Sequence, residues 1–554
     1  MSSVPWVLVL LAVPAVGSAV VAAMGALRLP DRLAKQVGLG VSLVELVLAI
    51  IAASAFKSGG PVFQQTTSVS WISTFGVHFS LGFDGIALVL VALTTVLTPV
   101  VLLAGWHEAD DGRRSAATYV ALILFLEGLL VGVFGATDVF LFYVLFEVML
   151  IPMYFLIGSY GGPQRSYAAV KFLLYSLFGG LLMLAAVIGL YVASADQLGT
   201  GTFDFATLTT LHLSHGVQDA LFLGFLVAFA VKAPLFPFHT WLPDAGAEAP
   251  TGAAVLLVGV LDKVGTFGMI RYCLPLFPDA AKTFAPLVLS LGVIGILYGA
   301  LVAVGQRDLK RLVSYTSVAH FGFIAVGIFA MTTQGGSGAV LYMVNHGLST
   351  GALFLVVGML ATRRGSRDIG AFGGVAKVAP LLAGSFLIAG LSSLALPGLN
   401  SFVSEFLVLV GTFTRYKVAA IFATVGIVFA ALYILLAYQR TMTGPIRAGV
   451  EKLRDLSTRE AFVLAPVLVL VVALGIYPKP LLDVINPSVD RTLQQVRRTD
   501  PAPSDLGART VTVTSTAPLG RDGIPSYPPG TSPFKPGGDG RTPAGVNEAI
   551  GGRP

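Results

Sequence analysis

Charge is what this sequence has least of. Of its 554 residues only 12% are Asp, Glu, Lys or Arg and 55% are hydrophobic, whereas a soluble domain carries about 25% charged residues. That balance excludes a soluble globular enzyme and describes an all-α polytopic membrane protein with about fourteen apolar spans of helix length. Cysteine is almost absent too. The single Cys273 allows no internal disulfide and no iron–sulfur cluster ligated by cysteines of this chain alone. There is no Walker phosphate loop, no Gly-x-Gly-x-x-Gly opening a helix after a strand, and no His-Glu-x-x-His. His107 and Glu108 with Asp110 and Asp111 have a metal-like composition, but in a loop they read as solvated. The net charge of +6 is no nucleic-acid footprint, because the basic residues fall mostly in short loops between apolar spans. No basic residue precedes the first apolar segment, 4–27, so it lacks the positive region of a cleaved signal peptide and reads as a retained first span.

What is present is organised. Basic residues crowd alternate loops and their helix edges, among them Arg113, Lys171, Arg307, Lys310, Arg363, Arg364 and Lys452. By the positive-inside rule those loops are cytoplasmic and both termini are not. Two apolar segments are broken. The seventh, near 219–241, carries Pro234 and Pro237 just after Lys232; the twelfth, near 379–414, is broken by Leu-Pro-Gly-Leu-Asn at 396–400. Breaks five spans apart predict two inverted five-helix repeats, about 117–272 and 283–439, with a site near the membrane midplane. The stretch 66–82 alternates in polarity around Gly76 and predicts a short surface hairpin. Residues 1–484 form the transmembrane domain on this reading. From 485 to 554 the chain turns rich in Pro, Gly, Ser and Thr, predicting a flexible non-cytoplasmic tail or an arm laid on a partner.

The rare ionisable groups inside the spans are the candidate site. Lys232 sits at the first break, where a cation in the bilayer marks an ion or proton path; the alternative is a lysine snorkelling from a helix end. Glu147 lies deep in the fifth span with Pro152 five residues on, where the helix can bend or hydrate. It is either the partner of Lys232 or a neutral acid bonded to a backbone carbonyl. Lys263 in the eighth span reads as a relay group, and its neighbour Asp262 lies about 100° around the helix, so the two need not pair. His320 and His346 stand on successive polar spans, the second on a face shared with Tyr342, Asn345, Ser349 and Thr350. Each histidine is a proton relay or a satisfied structural residue. Glu405 follows the second break. Glu45 and Glu127 are further intramembrane acids, functional or merely facing a neighbouring helix.

The segments 146–154 (Phe-Glu-Val-Met-Leu-Ile-Pro-Met-Tyr), 232–245 (Lys-Ala-Pro-Leu-Phe-Pro-Phe-His-Thr-Trp-Leu-Pro-Asp-Ala), 309–322 (Leu-Lys-Arg-Leu-Val-Ser-Tyr-Thr-Ser-Val-Ala-His-Phe-Gly) and 345–349 (Asn-His-Gly-Leu-Ser) are specific. Over about residues 80–480 the chain resembles the antiporter-like membrane subunits of respiratory complex I, NADH-quinone oxidoreductase. Glutamate rather than lysine at 405 makes it most similar to the M-type branch. The resemblance implies a non-redox, proton-translocating subunit of a bacterial inner-membrane enzyme. Glu147 and Lys232 would be its key ion pair, Lys263 its central relay, His320 and His346 the bridge, and Glu405 the terminal group. It also implies FMN, iron–sulfur clusters and quinone in partner subunits and none in this chain. The partners would be other membrane subunits, with L-type and N-type relatives flanking it in the bilayer. A subunit of an Mrp-type cation/proton antiporter is the alternative, since it shares much of the lysine–glutamate pattern. The chain departs from the pattern at Gly246, where many relatives have histidine, and in its tail.

Overall fold

The structure is a computed structural model that describes residues 4–110 and 114–502. Among these residues, 13 helices are long and apolar enough to cross a membrane, from Trp6–Ala26 to Thr458–Ile476. That is one fewer than the apolar segments of the sequence, for a physical reason. The segment at 379–414 is two helices, Pro380–Ser393 and Asn400–Arg415. At about 1.5 Å rise per residue neither half crosses a hydrocarbon core of about 30 Å. Between them Ala395 and Gly398 take positive φ angles of 59° and 93°, which turn the chain.

The segment at 219–241 also ends early. Its helix runs His215–Lys232 and a short helix, Leu242–Glu248, follows. Pro234 and Pro237 bring no N–H to continue the ladder. The carbonyls so exposed find other donors: Leu235 N donates to Ala230 O at 2.9 Å, and the Trp241 indole Nε1 to Val231 O at 2.9 Å. The span Val139–Tyr160 changes direction at Met149, three residues before Pro152. The span Thr251–Leu276 contains two π-helical turns, Leu257–Leu261 and Met269–Cys273, which bracket Lys263.

The alternating stretch is an antiparallel hairpin of β1 (Gln64–Ile72) and β2 (Val77–Phe83). The composition change near residue 485 falls inside a helix, Lys479–Val496. It buries Ile485, Val489, Leu493 and Val496, and its Ser488 Oγ accepts from Gly85 N at 3.0 Å. The remainder of the expected tail, 503–554, lies outside the described residues.

Burial sorts the spans. Thr251–Leu276 and Thr333–Arg364 are enclosed by protein along their apolar stretches, and Leu309–Phe329 nearly so, while Asp31–Ala55 and Thr458–Ile476 turn most of their surface outward. The enclosed spans are those that carry Lys263, His346 and His320. Charged groups survive in a bilayer only where protein or water surrounds them.

Candidate functional site

Lys232 ends the helix His215–Lys232 and is 1% exposed. Its ammonium lies 5.0 Å from the Phe146 ring centroid and 5.5 Å from that of Phe172, contacts that stabilise a cation without a hydrogen bond. Among the described residues Nζ has no hydrogen-bond partner, and neither has the buried Oε1 of Glu147. The two groups lie within each other's field, with Asp262 acting on Lys232 as well, but they do not bond. Room for the Glu147 carboxylate comes from Gly180 on the helix Arg165–Leu198, where a Cβ would stand 1.7 Å from Oε1.

Lys263 is fully buried, and its surroundings follow from the first π turn. Such a turn leaves a carbonyl outside the regular ladder, and Lys263 Nζ donates to the Val258 carbonyl within it. The same Nζ is 2.7 Å from Nδ1 of His346. An ammonium that donates to Nδ1 requires that nitrogen to be unprotonated, so the imidazole then holds its proton on Nε2. Gly265, two residues after Lys263, lets the span press on the first break, since a Cβ there would be 2.6 Å from Ala233 N.

From His346 the polar groups continue without an aliphatic layer. The His346 and His320 rings meet edge to face at 5.2 Å between centroids. The Tyr342 ring is 5.8 Å from that of His320, and its hydroxyl donates to Glu405 Oε2 at 3.0 Å. Tyr433 Oη is 3.5 Å from His320 Nε2. Glu405 is 4% exposed. The second break is tied to this line by amides and hydroxyls: Asn345 Nδ2 donates to Asn400 O at 2.7 Å, and Ser349 Oγ lies 2.6 Å from Ser392 Oγ and donates to Asn400 Oδ1 at 3.1 Å.

Four of the six residues singled out from sequence, Lys263, His346, His320 and Glu405, thus form one buried series, with Tyr342 and Tyr433 as links. Tyr342 was visible as a member of the polar face around His346. Tyr433 lies in an apolar run and gives no sequence signal. Asp262 is fully buried, neither of its oxygens has a hydrogen-bond partner among the described residues, and it lies in the fields of Lys263 and Lys232. Glu45 and Glu127 are both buried and lie within each other's field, with Thr98 beside Glu127. No group of three His, Cys, Asp or Glu is placed to hold a metal among the described residues.

Beyond the first break, Asp244 joins two helices. Its carboxylate lies 2.7 Å from Lys171 Nζ and 2.6 Å from Arg311 Nη1. Burial alone would raise its pKa, but the hydrogen bonds from Lys171 and Arg311 outweigh burial and hold it below the usual carboxylate range.

Known proteins resemble this chain in sequence and fold. The chain is 52% identical over 537 residues to subunit M of the NADH-quinone oxidoreductase of Mycobacterium tuberculosis, covering 91% of this chain and 97% of that one. A chain of the structure of respiratory complex I from Thermus thermophilus with bound NADH superposes with a TM-score of 0.80 at 31% identity, covering 88% of this chain and 99% of that one. A chain of the Mrp complex from Dietzia sp. matches in fold alone, with a TM-score of 0.78 at 21% identity, over 90% of this chain and 100% of that one. Residues 136–430, more than half of the chain, match the family model described as NADH:quinone oxidoreductase/Mrp antiporter, TM. With the fold, the buried series and a relative of this identity along nearly its whole length, the chain belongs to the NADH:quinone oxidoreductase/Mrp antiporter transmembrane family.

Proposed function

We propose that the chain is a proton-translocating membrane subunit of an NADH-quinone oxidoreductase, and that Glu147, Lys232, Lys263, His320, His346 and Glu405 carry the protons. The observation that carries this reading is the enclosed series from Lys263 through His346, His320 and Tyr342 to Glu405. Titratable groups in low dielectric, each close to the next, pass a proton with small movements. The identity to an M-type relative supports the oxidoreductase complex as its setting, whereas the Mrp reading rests on likeness of fold.

One cysteine cannot hold a cluster by itself. On this reading, as the resemblance implies, partner subunits hold the FMN, iron–sulfur clusters and quinone, and energy arrives here as a change of charge or position near Glu147. When that carboxylate withdraws or is neutralised, the Lys232 ammonium loses a stabilising charge and passes its proton toward Lys263. Glu405 receives it at the far end. The machinery lies within residues 1–484 as two inverted five-helix halves, about 117–272 and 283–439. The two divided segments support that symmetry, one ending at Lys232 and one parted at 394–399 ahead of Glu405. The protein sits in a bacterial inner membrane between L-type and N-type subunits, with both termini outside the cytoplasm as the loop charges direct.

The test is NADH-driven acidification in vesicles containing the assembled complex. Lys263→Ala is expected to cut proton transport to a small fraction while the complex still assembles. Full transport in that variant would refute the relay. Failure of the chain to co-purify with the redox subunits would refute the setting.

A further inference from the structure

The N-terminal end of Gly85–Ala104 and the C-terminal end of Thr251–Leu276 meet the segment leading into β1 and the helix Lys479–Val496. There the described residues line a cavity of about 390 Å3 that is open on one side. At its wall stands Arg271, in the second π turn, only 5% exposed. One side of its guanidinium is ion-paired, with Nη2 2.6 Å from Asp84 Oδ1 but outside hydrogen-bond geometry. The rings of Phe63, Phe267 and Phe205 surround the guanidinium carbon at 4.9, 5.1 and 5.9 Å. Aromatic faces attract a cation but accept no conventional hydrogen bond in its plane. Nη1 has no partner among the described residues. The Asp84 oxygen that faces Arg271, Oδ1, also accepts from Ala87 N at 2.8 Å to cap its helix.

A guanidinium presents five donors in a rigid fork, and leaving them unmade where water is scarce is costly. The lining adds charge of the same sign. Arg491, held by the carbonyls of Gly60 and Pro61, lines the cavity together with Thr492 and Gln494. The helix that begins at Gly85 turns its positive end this way. Two guanidinium groups against one carboxylate leave a positive, donor-rich pocket, and Val62, Ile86, Ile270 and Pro275 add apolar side chains to its lining, with Ser488 and Gln495 beside them.

We propose that this cavity binds a phosphate group, that of an acidic phospholipid headgroup, between Arg271 and Arg491. Guanidinium forks match phosphate oxygens in pairs. The cavity lies where two spans end, which is headgroup depth, and its mixed lining suits a charged group that continues into apolar glyceryl and acyl parts. A ligand there ties the hairpin and the C-terminal helix to the end of the span that carries Lys263. The proposal is independent of the transport reading, since it concerns none of the six relay groups.

The test uses the intact purified complex. Arg491→Gln removes one wall of the site without disturbing the buried Arg271–Asp84 pair, and Arg271→Lys keeps that pair's charge while losing the fork. Lipid retained by the delipidated complex is measured by mass spectrometry under native conditions, and binding of re-added phosphatidylglycerol is titrated against phosphatidylcholine. Phosphatidylglycerol is expected to bind on the order of tenfold more weakly to either variant, as for one lost charge-assisted contact, with phosphatidylcholine unchanged. Thermal stabilisation by inorganic phosphate alone, lost in Arg491→Gln, would support the phosphate site and identify free phosphate as its source. Equal phosphatidylglycerol binding and equal phosphate response in wild type and both variants would overturn the proposal.

Discussion

Nζ of Lys263 stands 2.7 Å from Nδ1 of His346, both fully enclosed by protein. A buried ammonium needs its hydrogen-bond partners, and among the described residues these are His346 and the Val258 carbonyl. His346→Phe removes one and leaves the charge under-satisfied, a cost of about 2 kcal/mol. The expected result is an assembled complex with strongly reduced proton transport, in which His346→Gln recovers part of the stability but little transport because an amide does not titrate. Thermal unfolding and vesicle acidification separate the two effects. Transport at wild-type rate in His346→Gln would mean that the imidazole serves only as a ligand for Lys263.

Gly180 predicts a variant that alters the first pair without touching an ionisable residue. A Cβ at 180 would sit 1.7 Å from Glu147 Oε1, so Gly180→Ala must displace that carboxylate. Proton transport is expected to fall severalfold in a complex that still assembles, and the shorter side chain of Glu147→Asp in the same background is expected to restore part of it. If Gly180→Ala transports normally, the position of Glu147 does not matter to the cycle.

The two tyrosines make different contacts and predict different losses. Tyr342 donates to Glu405 at 3.0 Å, so Tyr342→Phe leaves a buried acceptor unpaired, at about 1–3 kcal/mol. Tyr433 approaches His320 only to 3.5 Å, the limit of a hydrogen bond. Transport measured in Tyr342→Phe is expected to be clearly lower than in Tyr433→Phe. The reverse order would place the exit of the series on Tyr433 instead.

Much of this arrangement is written in the sequence, and the parts that are not share a cause. Pro234 and Pro237 announce the end of the helix at Lys232 because proline removes a donor wherever it stands. The hairpin is legible because strand side chains alternate about Gly76. The face of Tyr342, Asn345, His346 and Ser349 is legible because helical spacing is local. Contacts between distant segments leave no such mark. Nothing near Gly180 names Glu147, no local pattern encodes the π turn that exposes Val258 to Lys263, and Tyr433 reads as one more residue of an apolar span. The helix Lys479–Val496 hides behind Pro487 and its polar face, since its apolar stripe is meaningful only against the helix it covers.

Asp244 predicts a pH dependence with a definite sign. Lys171 and Arg311 hold its pKa below the ordinary 3.8 in the folded protein. A depressed carboxylate contributes stability that is complete above its unfolded pKa and is lost as pH falls through the lower folded value. Asp244→Asn is expected to lower stability at pH 7 by about 1 kcal/mol, modest because solvent screens the pair. The gap between wild type and variant should close in acid, below pH 3.8. Thermal unfolding of the detergent-purified complex at several pH values measures it. A gap that persists unchanged in acid would show that the ion bridge contributes nothing.

Lys232 makes no hydrogen bond among the described residues, and Asp262 is the residue placed to carry a proton from it to Lys263. Its carboxylate is fully buried, forms no hydrogen bond among the described residues, and lies in the fields of both lysines. Gly265 brings its helix against the first break, so the lysine-bearing segments meet here. A carboxylate between two ammonium positions favours whichever is charged and lowers the cost of moving the proton between them. Asp262→Asn keeps the size and removes the charge. It is expected to slow proton transport while leaving the His346–Glu405 portion intact, so its effect should be non-additive with Lys232→Ala and close to additive with Tyr342→Phe. Vesicle acidification by the single and double variants decides this. Additivity of Asp262→Asn with Lys232→Ala would show that the two residues act on separate steps, and the proton would then have to reach Lys263 by a route that does not pass Asp262.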